Sequence, residues 1–248
     1  MRHGESNHPD CPAAGTVSLP KPYVVRTGLE KILADLHEGD AFPPERELAL
    51  RFGVARDTVR QAVHELLVEG RIERRGRGTV VSRPKLVQPL SLKSYTEGAQ
   101  RMGRMPGRLL VTWENVTVDE STATALGVTA KARVMHLERV LLADGVRIGL
   151  ESSYLPLSRF ASLRGSFDPA TSLYAAIRAQ GVAFGEATER IETALPSPRE
   201  AALLESTTAM PMLLLHRRSV DTDGAPIEVV RALYRGDRVA FEATLTDA

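Results

Sequence analysis

Two clusters of arginine carry the most evident chemistry in this chain. Arg56 and Arg60 lie one helical turn apart in ARDTVRQAVHELL, and Arg71, Arg74, Arg75 and Arg77 follow in RIERRGRGT. A guanidinium is permanently charged, binds phosphate oxygens and can hold both acceptors of a guanine edge with paired bonds. The charge is local. Residues 44–85 carry ten Lys/Arg against six Asp/Glu, a net +4, whereas residues 86–248 carry eighteen against nineteen, a net −1. A basic sub-domain can therefore meet a polyanion although the whole chain has a net charge of only +1. Catalytic groupings have no such support. His3, His8, His37, His64, His136 and His216 are scattered without metal-ligand spacing, and neither G-x-S-x-G nor HExxH occurs. His136 and His216 each fall in an apolar, strand-like run and read as sheet residues. RGRGT lacks the GK[ST] ending of a nucleotide loop, so no cofactor is expected.

The elements around the arginines place them on one surface. From Pro22, PYVVRTGLEKILADL repeats apolar residues at Val25, Leu29, Ile32, Leu33 and Leu36, the period of an amphipathic helix. A second helix is expected from Pro44, with Leu48, Ala49 and Phe52 inward and Gly53 as the stop. In the third, Val59, Val63, Leu66 and Leu67 form the inner stripe, with Arg56 and Arg60 on the other side. Two short helices joined by a tight turn, followed by a short arginine-rich hairpin around Gly76 to Gly78, make a winged helix-turn-helix over residues 21–83.

Residues 84–93, with two prolines in RPKLVQPLSLK and no helical period, read as a linker and hinge. Beyond it, residues 94–248 alternate strand-like and helical runs. The pairs RVMHLERVLL with RIGLESSYLP, and MLLLHRRSV with IEVVRALY, flank Asp144-Gly145 and Asp223-Gly224, the signature of antiparallel hairpins in an α+β domain. Residues 1–20, rich in Pro, Gly, Ser and His, read as a disordered tail without a secretory pattern. The lone Cys11 cannot form an internal disulfide, and no apolar run approaches membrane length, so a cytoplasmic protein without a membrane partner is expected.

The segment PPERELALRFGVARDTVRQAVHELLVEGRIERRGRGTVV resembles the GntR family of bacterial regulators. The rest resembles the effector-binding (UTRA) domain of its HutC subfamily through SYTEGAQRMG, LERVLLADG, TSLY, ERIETALPSPREAALL and IEVVRALYRGDRVAF. The likeness is greatest to DasR/NagR-type regulators of N-acetylglucosamine use. It implies a chorismate-lyase-like antiparallel sheet with flanking helices in the second domain, which also dimerises and binds a small-molecule effector. The function implied is transcription regulation, by repression, from a palindromic double-stranded DNA operator bound by a homodimer. An enzyme of lyase type is the weaker alternative, because fold does not fix function.

By the same resemblance, Arg46 and Arg56 reach base edges or phosphates, Thr58 and Arg60 reach phosphates, Arg75 and Arg77 belong to the wing, and Gly78 enters the minor groove. Ala55 stands where the family usually has Ser, which removes a helix cap. The effector site maps onto Ser94, Thr96, Arg139, Glu151, Ser172, Tyr174, Glu228 and Tyr234. Hydroxyls and arginine suit a phosphate, and the glutamates suit sugar hydroxyl or amide protons. N-acetylglucosamine-6-phosphate or glucosamine-6-phosphate is the leading effector, with a different or uncharged ligand as the alternative. Phosphosugar sensors usually carry a second arginine two residues after the first. Here that position is Leu141, expected to point into the pocket, and Arg147 compensates only if its side chain turns inward. Glu228 has a second reading as a surface pair with Arg231 or Arg235, and Glu189 and Glu192 read as a solvated strand face.

Overall fold

The computed structural model describes residues 20–245; apart from Pro20, the expected tail and its Cys11 lie outside the described residues. The amphipathic period near the start forms α1 (Lys21–Ala34), followed by α2 (Glu45–Phe52) and α3 (Arg56–Val68). Val25 and Leu29 of α1, Leu48 of α2 and Val59, Val63 and Leu66 of α3 make one core, which Ile72 closes from the next strand. Gly53 ends α2 in the left-handed conformation at φ 61°, the condition for the tight turn into α3. Strands β1 (Ile72–Arg75) and β2 (Gly78–Val81) pair antiparallel as the wing, with a further bridge from Ala41 to Val80.

Part of the segment expected to be a linker and hinge is built into the second domain instead. Residues Leu86–Pro89 form β3, which pairs in parallel with β10 (Val239–Glu242) near the far end of the chain. Leu86 is buried there, and residues 82–85 and 90–94 on either side of β3 are irregular. Leu86 and Gln88 are the alternate residues buried on pairing with β10, and no local pattern could reveal a partner so distant. The SYTEGAQ segment forms helix α4 (Tyr95–Arg101). Ser94 and Glu97 close it with a reciprocal capping box, a signal present in the S-x-x-E spacing.

The main sheet is six-stranded and antiparallel. Its strands are β4 (Pro106–Thr117), β5 (Arg133–Ala143), β6 (Val146–Pro156), β7 (Phe184–Ala194), β8 (Met212–Asp221) and β9 (Pro226–Arg235), in the order β4-β5-β6-β9-β8-β7. Both Asp-Gly pairs make the expected hairpins, and Asp144 and Gly145 take φ 51° and 80°. Helices α5 (Glu120–Ala125), α6 (Leu157–Phe160), α7 (Leu163–Ser166), α8 (Leu173–Ala179) and α9 (Pro198–Leu203) flank it. Phe160, Leu163, Leu173 and Ile177 pack onto Met135, Leu137 and Leu155 of one sheet face. Among the described residues, no helix is long and apolar enough to cross a membrane.

Charged contacts join the two domains. Arg238 holds Glu73 of the wing strand at 2.5 Å, and Arg83 bridges Glu38 at 2.8 Å and Asp144 at 2.6 Å. Glu73 also accepts from Arg75 at 2.9 Å; burial pushes its carboxyl up, but the bonds and charges of Arg238 and Arg75 outweigh this and leave it below the ordinary range.

Candidate nucleic-acid interface and effector pocket

The helix-turn-helix and wing present the first set of candidate residues to solvent. Arg46 on α2, Arg56 and Arg60 on α3, and Arg75, Arg77 and Gly78 at the wing tip are exposed, while Thr58 is half-buried at the start of α3. Ala55 occupies the cap of α3 in extended backbone, with no side-chain bond to the free amides of the first turn. Arg60 pairs with Asp57 at 3.1 Å and Glu45 at 3.7 Å, rather than with Glu65. Glu65 instead faces Arg26 of α1 at 3.5 Å. Arg74 is engaged with Glu45 and Thr79. Among the described residues, Arg46, Arg56 and Arg77 have no carboxylate partner, which leaves their guanidinium groups available to an outside anion.

The second set converges on a cavity of about 60 Å³ over the sheet, covered by α4, α8 and the β3/β10 pair. Of the eight residues mapped from the sequence, Ser94, Arg139, Glu151, Ser172, Tyr174 and Tyr234 line it. Ser94 and Ser172 also cap α4 and α8, so their hydroxyls fix the helices that wall the site. Gly98 lets α4 approach closely, since a Cβ there would stand 2.1 Å from Gln88 Oε1. Thr96 and Glu228 lie one layer back. Thr96 accepts a hydrogen bond from Arg108 at 2.7 Å. Glu228 is fully buried and accepts from the Tyr174 hydroxyl and, at 3.2 Å, from Ser219.

Glu228 is thus not a surface partner of Arg231 or Arg235, which pair with Glu200 and Asp237. Complete burial pushes its carboxyl up to about 7, against the opposing influence of the Tyr174 donor and the Arg217 charge. Its Oε2 has no partner. Glu189 also departs from the sequence reading. It is half-buried and ion-paired with Arg217, whereas Glu192 is exposed.

Three guanidinium groups reach the cavity wall, of which the sequence indicated one. Arg139 donates to Glu151 at 2.6 Å and to the carbonyl oxygens of Thr171 at 3.0 Å and Pro169 at 3.3 Å. Arg217 donates to the Tyr174 hydroxyl at 2.7 Å. The period of two in MLLLHRRSV puts Arg217 on the face of Leu215, a signal that an apolar-run reading passes over. Arg108 of β4 stacks over the Tyr95 ring at 5.5 Å. Burial, and the neighbouring Arg139 charge, pull its guanidinium below the ordinary value. The Nε atoms of Arg108, Arg139 and Arg217 are all buried without a partner.

The expectation that Leu141 enters this pocket fails, and the condition set for Arg147 is not met. Leu141 shares the sheet face of Arg139 but is fully buried in a cluster with Leu86, Ala99 and Ile148, and it does not line the cavity. Arg147 turns away, donating to the Leu203 carbonyl at 2.7 Å and pairing with Glu205 at 3.2 Å. It lies on the same strand as Glu151, beyond the register shift between Leu141 and Leu142 where β5 pairs with β6.

The arrangement joins a basic helix and wing to a buried cationic cavity, and comparison with known proteins gives the same division. The description "Bacterial regulatory proteins, gntR family" matches residues 29–81, and "UTRA domain" matches residues 101–240. The HTH-type transcriptional repressor PhnF of Mycolicibacterium smegmatis is 53% identical over 225 residues, covering 91% of this chain and 92% of that protein. The HTH-type transcriptional repressor NagR of Bacillus subtilis is 35% identical over 202 residues, covering 80% and 83%. The crystal structure of PhnF from Mycobacterium smegmatis matches with a TM-score of 0.68 over 90% of this chain and 100% of that one, at 53% identity. These likenesses are to transcription regulators and not to enzymes. The chain belongs to the GntR family of bacterial regulatory proteins, in its HutC branch, and carries a helix-turn-helix domain followed by a UTRA domain.

Proposed function

We propose that this protein is a cytoplasmic repressor that binds a palindromic operator as a homodimer and changes its grip when a small anion enters the UTRA pocket. The observation that carries the effector class is the convergence of Arg108, Arg139 and Arg217 on one cavity, with Arg108 bonded to a neutral hydroxyl and to no carboxylate among the described residues. A half-buried guanidinium without a counter-charge is costly, and an anion in the cavity supplies one. The names of the PhnF and NagR relatives support repression. In this reading Arg46 and Arg56 meet base edges or phosphates, Thr58 and Arg60 meet phosphates, and the wing brings Arg75, Arg77 and Gly78 to the minor groove.

An amino-sugar phosphate is one source of the anionic group. A free oxyanion is the second, and the cavity size favours it. About 60 Å³ holds a phosphoryl-sized group, whereas pockets for larger organic ligands run to roughly 300 Å³ or more, so a whole sugar phosphate requires the cavity to widen. Phe241 of β10 lines the cavity, and Arg238, one residue before β10, holds the wing through Glu73. A ligand that displaces β10 therefore acts on the wing and on the spacing of the two DNA-binding domains in a dimer.

Fluorescence anisotropy on labelled DNA from upstream of the protein's own gene, at fixed salt, tests this reading. The expected result is saturable binding that inorganic phosphate, glucosamine-6-phosphate or N-acetylglucosamine-6-phosphate shifts. Operator binding indifferent to all three refutes the anionic effector.

A further inference from the structure

Arg108 differs from the other two pocket arginines. Arg139 is neutralised by Glu151 and Arg217 by Glu189, but among the described residues Arg108 has no carboxylate partner, and its hydrogen bond goes to the neutral Thr96 hydroxyl. A half-buried cation without a counter-charge is unfavourable unless a ligand supplies one. Its position follows from the strand register. Arg108 of β4 stands directly opposite Leu141 of β5, and opposed residues in an antiparallel pair share a face. Where the sequence puts Leu at position 141, the neighbouring strand puts a guanidinium beside it. The longer side chain reaches the cavity, while Leu141 stays below in the core.

We propose that Arg108 is the second anion-binding guanidinium of the effector pocket, acting with Arg139 on a doubly charged tetrahedral group such as a phosphoryl. This rests on the reading of the cavity as the effector site. Arg139 spends three donated bonds on Glu151 and two backbone carbonyls, so it is held as a fixed wall. Arg108 keeps its charge uncompensated and supplies the attraction. The shared chemistry is a phosphoryl group, whether free or carried on a sugar.

The test is isothermal titration of the full chain and of Arg108→Gln and Arg108→Lys with inorganic phosphate and, separately, glucosamine-6-phosphate. Operator affinity without ligand and thermal melting serve as controls. The wild type is expected to bind at least one of the two, Arg108→Gln to bind it at least tenfold more weakly, and Arg108→Lys to fall between, as loss of a charge-assisted contact demands. Binding of free phosphate identifies a free oxyanion; binding of the ester alone identifies a phosphorylated metabolite; either supports Arg108 if the substitution weakens it. If Arg108→Gln does not fold, Arg108→Lys decides, because it keeps the charge and loses the fork. Unchanged affinity in the variants refutes the role of Arg108 and leaves the pocket reading intact. A wild type that binds neither compound while still holding its operator refutes both. Binding without an operator response preserves the Arg108 assignment and refutes the regulatory reading alone.

Discussion

Replacing Glu228 by Gln should make the second domain less sensitive to alkaline pH. The carboxyl is fully buried, accepts from Tyr174 and Ser219 through one oxygen, and leaves the other without a donor. An amide keeps the acceptor and removes the charge. With the folded-state carboxyl pushed up to about 7 from an ordinary 4.5, the native chain holds a proton through this interval that the unfolded chain has released. Stability from this group is present below about pH 4.5 and is lost as pH rises through about 7. At roughly 1.4 kcal/mol per tenfold change in proton affinity, the loss is about 3 kcal/mol. The single tryptophan, Trp113 on β4, packs edge-on to Phe167 at 5.7 Å, so its fluorescence follows unfolding of this domain and not of the helix-turn-helix. Urea titrations at pH 5, 6, 7 and 8 should show the wild type losing about 2–3 kcal/mol relative to Glu228→Gln across that range, most of it below pH 7.5. Parallel stability curves for the two proteins would refute the buried-carboxyl argument.

Three other perturbations separate folding from recognition. Gly78→Ala should leave the melting temperature unchanged, because the new Cβ meets only the Arg75 carbonyl oxygen, at 3.8 Å; operator affinity should fall about tenfold, the scale of one lost groove contact. Ala55→Ser should stabilise the first domain by about 1 kcal/mol in a thermal melt, since residue 55 already has the extended geometry of a cap and lacks only the oxygen. Glu73→Gln removes the partner shared by Arg238 and Arg75; it should weaken the contact between domains by about 1 kcal/mol and reduce the effector-induced change in operator affinity, read by anisotropy with and without inorganic phosphate.

The division between what is legible in a string of residues and what is not follows the range of the interactions. The helix-turn-helix is local. The stripe Val25, Leu29, Leu33, the stop at Gly53 and the stripe Val59, Val63, Leu66 each specify their own helix within a few turns, and the short hairpin after them has one way to fold. The Asp-Gly turns were equally informative, because a left-handed turn and its two flanking strands are neighbours in sequence. The capping box of Ser94 and Glu97 is equally local, written in the S-x-x-E spacing.

The pocket is different in kind. Residue identity alone placed Arg139, Glu151, Ser172, Tyr174 and Tyr234 at one site by likeness to a family, and the structure brings them together. Sequence also determined that position 141 carries no charge. Only the tertiary structure decided that a guanidinium stands beside it on another strand, because the facing of Arg108 and Leu141 depends on the register of β4 and β5, strands separated by α5, and on the bulge between Leu110 and Thr112. The same holds for β3, whose partner β10 lies about 150 residues away. Periodicity measures which face of an element is buried, while long-range pairing is settled by the packing of all elements together, and that is where the uncompensated guanidinium and the contact with the wing arise.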